Sequence, residues 1–183
     1  MTRLDPPFMA RKDHASETPA TQLLKRRAVI YSEHLYDYVE GGGTTESARQ
    51  LNVSEHHVVK TLVMEDDTAQ PLIVLMHGDC QVSTKNLARQ IGAKKVQNCK
   101  PEVAQRHSGY MVGGTSPFGT KKAIPVYVES TVLELPLIFI NGGQRGYLVG
   151  VDPKVLVTLL GARPVQCAIG GAAPPPGPSK SQR

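Results

Sequence analysis

The chain has 183 residues, 40% apolar and 20% charged, the make-up of one globular domain with a proper core rather than of two domains or a disordered chain. No apolar run approaches the roughly 18 residues of a membrane span, and three scattered cysteines (Cys80, Cys99, Cys167) fit reduced thiols better than a disulfide framework. The net charge of +5 does not by itself mark a nucleic-acid binder: residues 1–27 carry six Lys/Arg against three Asp/Glu, residues 171–183 carry Lys180 and Arg183 with no acid, and the remainder is balanced.

In chain order, residues 1–17 are poor in apolar side chains, lack the continuous apolar stretch of a secretory signal, and read as a loose arm. A short helix opens at Thr18-Pro19 and runs to about Arg27, and Ala28 to His34 is strand-like. Thr44 or Thr45 is positioned to cap a helix through Leu51. Strands follow at Val58–Met64 and Leu72–Met76; the second is apolar throughout, as expected of a central strand. Ser83 or Thr84 caps a helix with Leu87 and Ile91 on one face, stopped by Gly92, and Pro101 begins another helix. Strands are expected at Tyr110–Val112, Ile124–Val128, Leu137–Ile140 and Tyr147–Val151. The last helix has Asp152 as N-cap, Pro153 in first position, Val155, Leu156, Leu159 and Leu160 on its apolar face and Gly161 as stop, before a final strand at Pro164–Ala168. Residues 170–183, rich in proline and glycine, cannot bury a core and read as a disordered tail. The pattern is a mixed α/β domain over residues 18–169, with one curved, mostly antiparallel or mixed, barrel-like sheet flanked by helices. The irregular order of elements is not that of a doubly wound fold.

Two features carry chemistry. Lys60 stands in an apolar strand run, where alternation puts it on one face with Val58, Leu62 and Met64. An ammonium there either blunts a sheet edge, snorkels to water, or sits at the lip of a pocket. The second feature is Gly109–Gly119, in which Gly113-Gly114 let the backbone adopt positive φ and approach a ligand closely, with successive N–H groups available to an anion or a carbonyl. Gly114 to Gly119 mimics the glycine spacing of a nucleotide-phosphate loop, but Thr120 precedes Lys121 and Pro117 removes a donor, so nucleotide hydrolysis is not expected.

No metal site and no cofactor are expected: His77-x-x-Cys80 has no second ligand pair at zinc spacing, and His56-His57 would point to opposite faces of a strand. A protein nucleophile is equally absent, since there is no Gly-x-Ser-x-Gly elbow and no cysteine beside an obvious activating charge. Lys85 and Arg89 one helical turn apart, Lys94-Lys95, Lys121-Lys122 and Arg145 form local basic groups; each is either a solvated face or a track for a phosphate backbone.

Four blocks in the same order resemble the YbaK-type aminoacyl-tRNA deacylases, relatives of the editing (insertion) domain of bacterial prolyl-tRNA synthetase. These are Val-Lys-Thr-Leu-Val around Lys60, Gly-Ala-Lys-Lys-Val at Gly92–Val96, the glycine loop at Gly109–Gly119, and Asn-Gly-Gly-Gln-Arg-Gly at Asn141–Gly146; the likeness extends from about Thr21 to Ala168. Lys60 followed by Thr-Leu looks more like the branch acting on Cys-tRNA(Pro) than the Ala-tRNA(Pro) branch, where Asn-Leu-Phe is usual. The resemblance implies a cytoplasmic trans-editing hydrolase; no membrane association is expected, and a monomer is favoured over an oligomer. It would cleave cysteine from tRNA(Pro), engaging the tRNA acceptor end and prolyl-tRNA synthetase, with no cofactor. It assigns Lys60 and Gly113 to catalysis. Tyr36, Gly114, Thr115, Ser116, Pro117, Asn141, Gly142, Gly143 and Arg145 are assigned to substrate binding. Asn141 departs from the serine common before this Gly-Gly pair, which bears on amino-acid choice. The mechanism implied is attack by the substrate's own thiol on its ester, with the protein supplying proximity and oxyanion stabilisation. The alternatives are a deacylase for Ala- or Pro-tRNA and a non-catalytic tRNA- or synthetase-binding module; the pairing of Lys60 with Gly113-Gly114 favours an enzyme.

Overall fold

A computed structural model describes residues 17–171; the expected N-terminal arm up to residue 16 and the tail from residue 172 lie outside the described residues. The elements are α1 (Pro19–Arg26), β1 (Ser32–Leu35), α2 (Gly43–Leu51), β2 (Val58–Asp66), β3 (Pro71–His77), β4 (Cys80–Val82), α3 (Thr84–Ile91), β5 (Val96–Asn98), α4 (Pro101–Ser108), β6 (Val126–Glu129), β7 (Ile138–Gln144), β8 (Tyr147–Val151), α5 (Lys154–Leu160), β9 (Arg163–Val165) and β10 (Ala168–Gly170). Single turns of 3-10 helix lie at Glu55–His57 and Ser130–Glu134. The expected mixed α/β domain is present. Its main sheet runs β1-β8-β7-β2-β3-β6-β9, with β5 also on β2, and β4 and β10 form a separate antiparallel pair. Parallel pairs (β2 with β7, β3 with β6, β6 with β9) mix with antiparallel ones, and the end strands β1 and β9 do not pair with each other, so the barrel-like sheet is open. Among the described residues no helix is long and apolar enough to cross a membrane.

Alternation along β3 explains why Leu72 to Met76 are all apolar. Ile73 and Leu75 enter one core with Ala20 and Leu24 of α1 and Leu156 of α5. Leu72, Val74 and Met76 enter a second with Leu87 and Ala88 of α3. Both faces of this strand are thus covered, each buried leucine or isoleucine contributing about 1.5–3 kcal/mol by removal from water. A third cluster joins Ala48 of α2 to Val58, Phe139 and Leu148. It seats α2 over the junction of β2, β7 and β8, which becomes one wall of the site.

Several expectations differ from the observed structure. Tyr110–Val112 is not a strand: the buried Tyr110 hydroxyl donates to the Phe118 carbonyl at 2.6 Å, anchoring a compact loop whose apolar residues need no sheet partner. Pro164–Ala168 divides into β9 and β10, with Glu129 accepting from the N–H groups of Cys167 and Ala168 at the break. Ala28 lies at φ +53 in the turn after α1, which delays β1 to Ser32. Neither Thr44 nor Thr45 caps α2, because both hydroxyls donate to the Glu55 carboxylate and Gly42 takes the cap position. Asp152 accepts from the Lys154 N–H at 2.9 Å, as a capping side chain should, although Pro153 occupies the cap position itself. The three-residue strands β4 and β5 carry too little periodicity to be read from sequence.

Candidate functional site

β2 organises the site. It pairs with β3 along its length (Val59↔His77 to Glu65↔Pro71), but its other edge is shared between two strands: β7 covers only Val58 and Val59, and β5 covers only Met64 to Asp66. The sheet therefore splits at Lys60–Val63. A cavity of about 590 Å³, within the range of small-molecule sites, fills the split. Its wall includes Val58 to Val63 of β2, Tyr36 and Tyr38, Thr44 and Ser47 of α2, Asn98 at the end of β5 and Cys99 after it, Pro101 and Ala104 of α4, Val112, Gly113 and Thr115 of the glycine loop, and Asn141 of β7.

Lys60 is half-buried on this wall, and its Nζ donates to the carbonyl of Cys80 at the start of β4. An ammonium has three donors. One acceptor fixes its direction and leaves capacity for a ligand.

The glycine loop is held from the β7–β8 hairpin. Arg145 Nε donates to the Val112 carbonyl at 2.9 Å and its guanidinium lies 4.8 Å from the centre of the Tyr38 ring. Asn141 Nδ2 donates to the Gly113 carbonyl at 3.2 Å, and its Oδ1 accepts from the N–H of Gly143 at 2.7 Å and of Gln144 at 3.2 Å. In a planar trans peptide the N–H points opposite to the C=O. Fixing the Val112 carbonyl on Arg145 therefore turns the Gly113 N–H to the other side. The Gly114 N–H is already used, donating to the Met111 carbonyl at 2.9 Å. Of the two glycines, only Gly113 lines the cavity.

The residues singled out in the sequence thus divide. Lys60, Gly113, Tyr36, Thr115 and Asn141 line one cavity, whereas Gly114, Ser116, Pro117, Gly142, Gly143 and Arg145 do not line it. Gly142 and Gly143 are close-packing positions, since a Cβ would lie 2.6 Å from the Tyr147 ring at the first and 2.9 Å from the Tyr110 ring at the second. Gly119, the second glycine of the false phosphate loop, lets the backbone pass α1: a Cβ there would lie 2.5 Å from the Pro19 carbonyl oxygen. Tyr38 was not singled out, although its spacing from Tyr36 puts two rings on one side of an extended segment. Arg145 and Asn141 act on the loop through contacts some 30 residues away in sequence (28 for Asn141 to Gly113 and 33 for Arg145 to Val112), which no local pattern discloses.

The histidines and the acid beside β4 are tied up in bonds of their own. The ligand atoms of His56, Asp79 and Cys80 lie within 4.8 Å of one another, but His56 Nδ1 is bonded to Asp79 Oδ1 at 2.9 Å and the Cys80 thiol donates to the same oxygen at 3.5 Å. His77, the other residue of the His-x-x-Cys pair, uses both ring nitrogens: Nδ1–H donates to the His56 carbonyl and Nε2 accepts from the Thr131 hydroxyl, each at 2.7 Å. Burial lowers its pKa from the ordinary imidazole value of 6.5. The unfolded chain takes up this proton at higher pH than the folded one, so stability falls as pH drops from about 6.5 towards the lowered native value. Urea midpoints measured against pH should show a shallower acid-side slope for His77→Gln than for the parent; an unchanged slope would mean that His77 is not a source of the dependence.

Burial also pushes the thiols up, Cys80 and Cys99 to about 11 and Cys167 to about 12. Near neutral pH all three are protonated. Cys99, although on the cavity wall, is therefore no ready nucleophile.

The family profile of the aminoacyl-tRNA editing domain matches residues 40–159. The "Putative Cys-tRNA(Pro)/Cys-tRNA(Cys) deacylase EbsC" of Enterococcus faecalis (strain ATCC 700802 / V583) is 28% identical over 152 residues, covering 82% of this chain and 93% of that protein. The proline–tRNA ligase of Streptococcus equi subsp. equi (strain 4047) is 29% identical over 110 residues, 60% of this chain and 18% of the ligase. Among solved structures, one described as a "putative trans-editing enzyme for prolyl tRNA synthetase" superposes with a TM-score of 0.71 at 22% identity, covering 85% of this chain and all of that one.

Proposed function

Since the chain belongs to the aminoacyl-tRNA editing domain family, we propose that it is a trans-editing hydrolase that removes cysteine mischarged onto tRNA(Pro). The observation that carries this reading is the convergence of Lys60 and Gly113 on one largely apolar cavity whose one lining thiol, Cys99, is protonated near neutral pH. Tyr36 and Tyr38 offer ring faces for the terminal adenosine of the acceptor end, and the cavity accepts the aminoacyl group beyond it. Asn141 and Arg145 act as positioning residues, holding the loop that carries the Gly113 N–H.

In the reaction, the substrate's thiol gives up its proton and its sulfur forms a bond to the ester carbonyl carbon. The Gly113 N–H donates to the oxyanion, where removing one such donor typically costs ~10²–10³ in rate. The Lys60 ammonium steadies the carbonyl or the neighbouring phosphate. Collapse breaks the carbon–oxygen bond to the ribose, the proton passes to the ribose oxygen, and the products are a thiolactone and free tRNA. Water then opens the thiolactone. The chain supplies geometry and electrostatics, not a covalent partner.

The deciding assay is release of amino acid from Cys-, Ala- and Pro-tRNA(Pro) by purified protein in the presence of a chelator. Cysteine release exceeding the other two supports the proposal. Preference for alanine or proline moves the assignment to another branch of the family, and no release from any of them makes the chain a binding module. A chain with Cys80, Cys99 and Cys167 all replaced by serine should remain active on Cys-tRNA(Pro), because its thiols are protonated bystanders. Ser-tRNA(Pro) should be a much poorer substrate than the cysteine ester, a hydroxyl being a far weaker nucleophile. Equal rates on the two esters would replace the thiolactone route by attack of water.

A further inference from the structure

Within the split at Lys60–Val63, Thr61 is the one residue of β2 that turns its backbone groups to the open edge and finds no strand there. The direction of its backbone groups follows from four hydrogen bonds. Gly78 N–H donates to the Val58 carbonyl and Asp66 N–H to the Gln70 carbonyl, so the even-numbered residues of β2 direct their N–H and C=O groups towards β3. Cys99 N–H donates to the Val63 carbonyl, and Ile73, which faces Val63 in the register, sends its N–H away to Pro125. Odd-numbered residues of β2 therefore turn their backbone groups to the opposite edge. On that edge Val59 meets β7 and Val63 meets Cys99. Thr61 lies between them, facing the cavity.

Two separate devices keep this residue uncovered. Extending the register of β5 (Met64↔Asn98) would bring Pro101 opposite Thr61, and proline has no N–H to give. Extending the parallel register of β7 (Val59↔Ile140) would bring the Gly143 N–H to the Thr61 carbonyl, but that N–H donates to Asn141 Oδ1 at 2.7 Å instead. The separation between the two covered ends, from Val59 to Met64, is roughly 16 Å at about 3.3 Å per residue. The Thr61 hydroxyl is also the one buried side-chain polar atom without a hydrogen-bond partner among the described residues. Such groups call for an explanation in a folded chain.

We infer that Thr61 binds the aminoacyl group through its main chain, as a single residue of strand. The α-amino group of the substrate donates to the Thr61 carbonyl, and the ester carbonyl accepts from the Thr61 N–H. A narrow antiparallel pair exchanges the same two bonds, and strand addition at a sheet edge is an established recognition mode for extended peptides. The inference rests on the aminoacyl-tRNA reading above and deepens it. It assigns recognition of the amino-acid backbone, common to every aminoacyl ester, to β2, and leaves the choice of side chain to the surrounding walls.

The test uses an adenosine whose ribose carries the amino acid through an amide in place of the ester, so that it binds without being cleaved. Hydrogen exchange at individual amides is followed by NMR in the full chain. In the free protein the Thr61 amide should exchange faster than that of Leu62, which faces β3. Saturating analogue should slow Thr61 at least tenfold and leave Leu62 unchanged. Binding that shifts Gly113 and Tyr36 but leaves Thr61 exchange untouched overturns the inference while the substrate class stands. An analogue that perturbs no cavity amide removes both. As a second measurement, replacing Thr61 by its α-hydroxy counterpart turns its N–H into an ester oxygen and keeps the side chain. Deacylation should fall by ~10²-fold, as for loss of one donor to a reacting carbonyl, with an unaltered circular dichroism spectrum. Full activity of this variant, beside an active parent, rejects the Thr61 contact alone.

Discussion

Replacing Lys60 by alanine should lower turnover of Cys-tRNA(Pro) by ~10²-fold or more, the range for deleting a charge-stabilising donor at a reacting carbonyl, while the domain stays folded. The residue occupies an apolar face with Val58, Leu62 and Met64, where an ammonium is unfavourable unless something retains it. Its single structural bond is to the Cys80 carbonyl. Alanine leaves that oxygen without its donor, at a typical penalty of about 1–3 kcal/mol, so a modest fall in melting temperature should accompany the loss of turnover. The two effects separate: single-turnover deacylation reports the chemistry, and thermal unfolding reports the bond to Cys80. Near-normal deacylation by the alanine variant would return Lys60 to the role of a strand residue that merely guards the sheet.

Gly113→Ala should be nearly as damaging, for a different reason. Gly113 has φ +89, a left-handed conformation in which an L side chain is strained by about 1–2 kcal/mol. Its added Cβ would also lie 2.8 Å from the Tyr38 hydroxyl and 3.0 Å from the ring. The ring cannot swing aside freely, because the Arg145 guanidinium is stacked on it while holding the Val112 carbonyl. The loop must move instead, carrying the Gly113 N–H away from the reacting oxygen, and a displacement of about 1 Å at such a site can cost ~10²-fold. Gly92→Ala is the matched control. It has a similar φ of +77, but nothing lies within 4 Å of its Cβ, and it ends α3 away from the cavity. Equal losses of turnover in the two variants would show general destabilisation. A loss confined to Gly113 isolates the loop.

The parts of the site that were legible in the sequence are those set by local rules. The period of two placed Lys60 with Val58 and Leu62, the continuous apolar run placed β3 at the centre, and the paired glycines marked the loop. The illegible parts depend on contacts between distant segments. Nothing near Asn141 shows that its amide would be spent on the Gly113 carbonyl and on the N–H of Gly143 rather than on a ligand. Nothing near Arg145 shows that it would stack on Tyr38. The mistaken strand at Tyr110–Val112 has the same origin: its apolar composition is satisfied by a loop whose anchor, the Phe118 carbonyl, lies eight residues further on. The division of one edge of β2 between β5 and β7 follows from strand order alone, which residue types do not encode.

That divided edge has a further consequence for the chain's solubility. Unpaired main-chain groups along a strand invite neighbouring molecules to join the sheet and seed fibres. Here the free stretch is closed at both ends, by β7 at Val59 and by β5 at Met64, and overhung by α4 and the glycine loop. A slot of this kind admits a small molecule carrying one amine and one carbonyl, but is too short and too enclosed for a foreign strand to zip along. Hydrogen-bonding capacity that would make an outer edge sticky is thus stored in the middle of the sheet, where self-assembly cannot reach it.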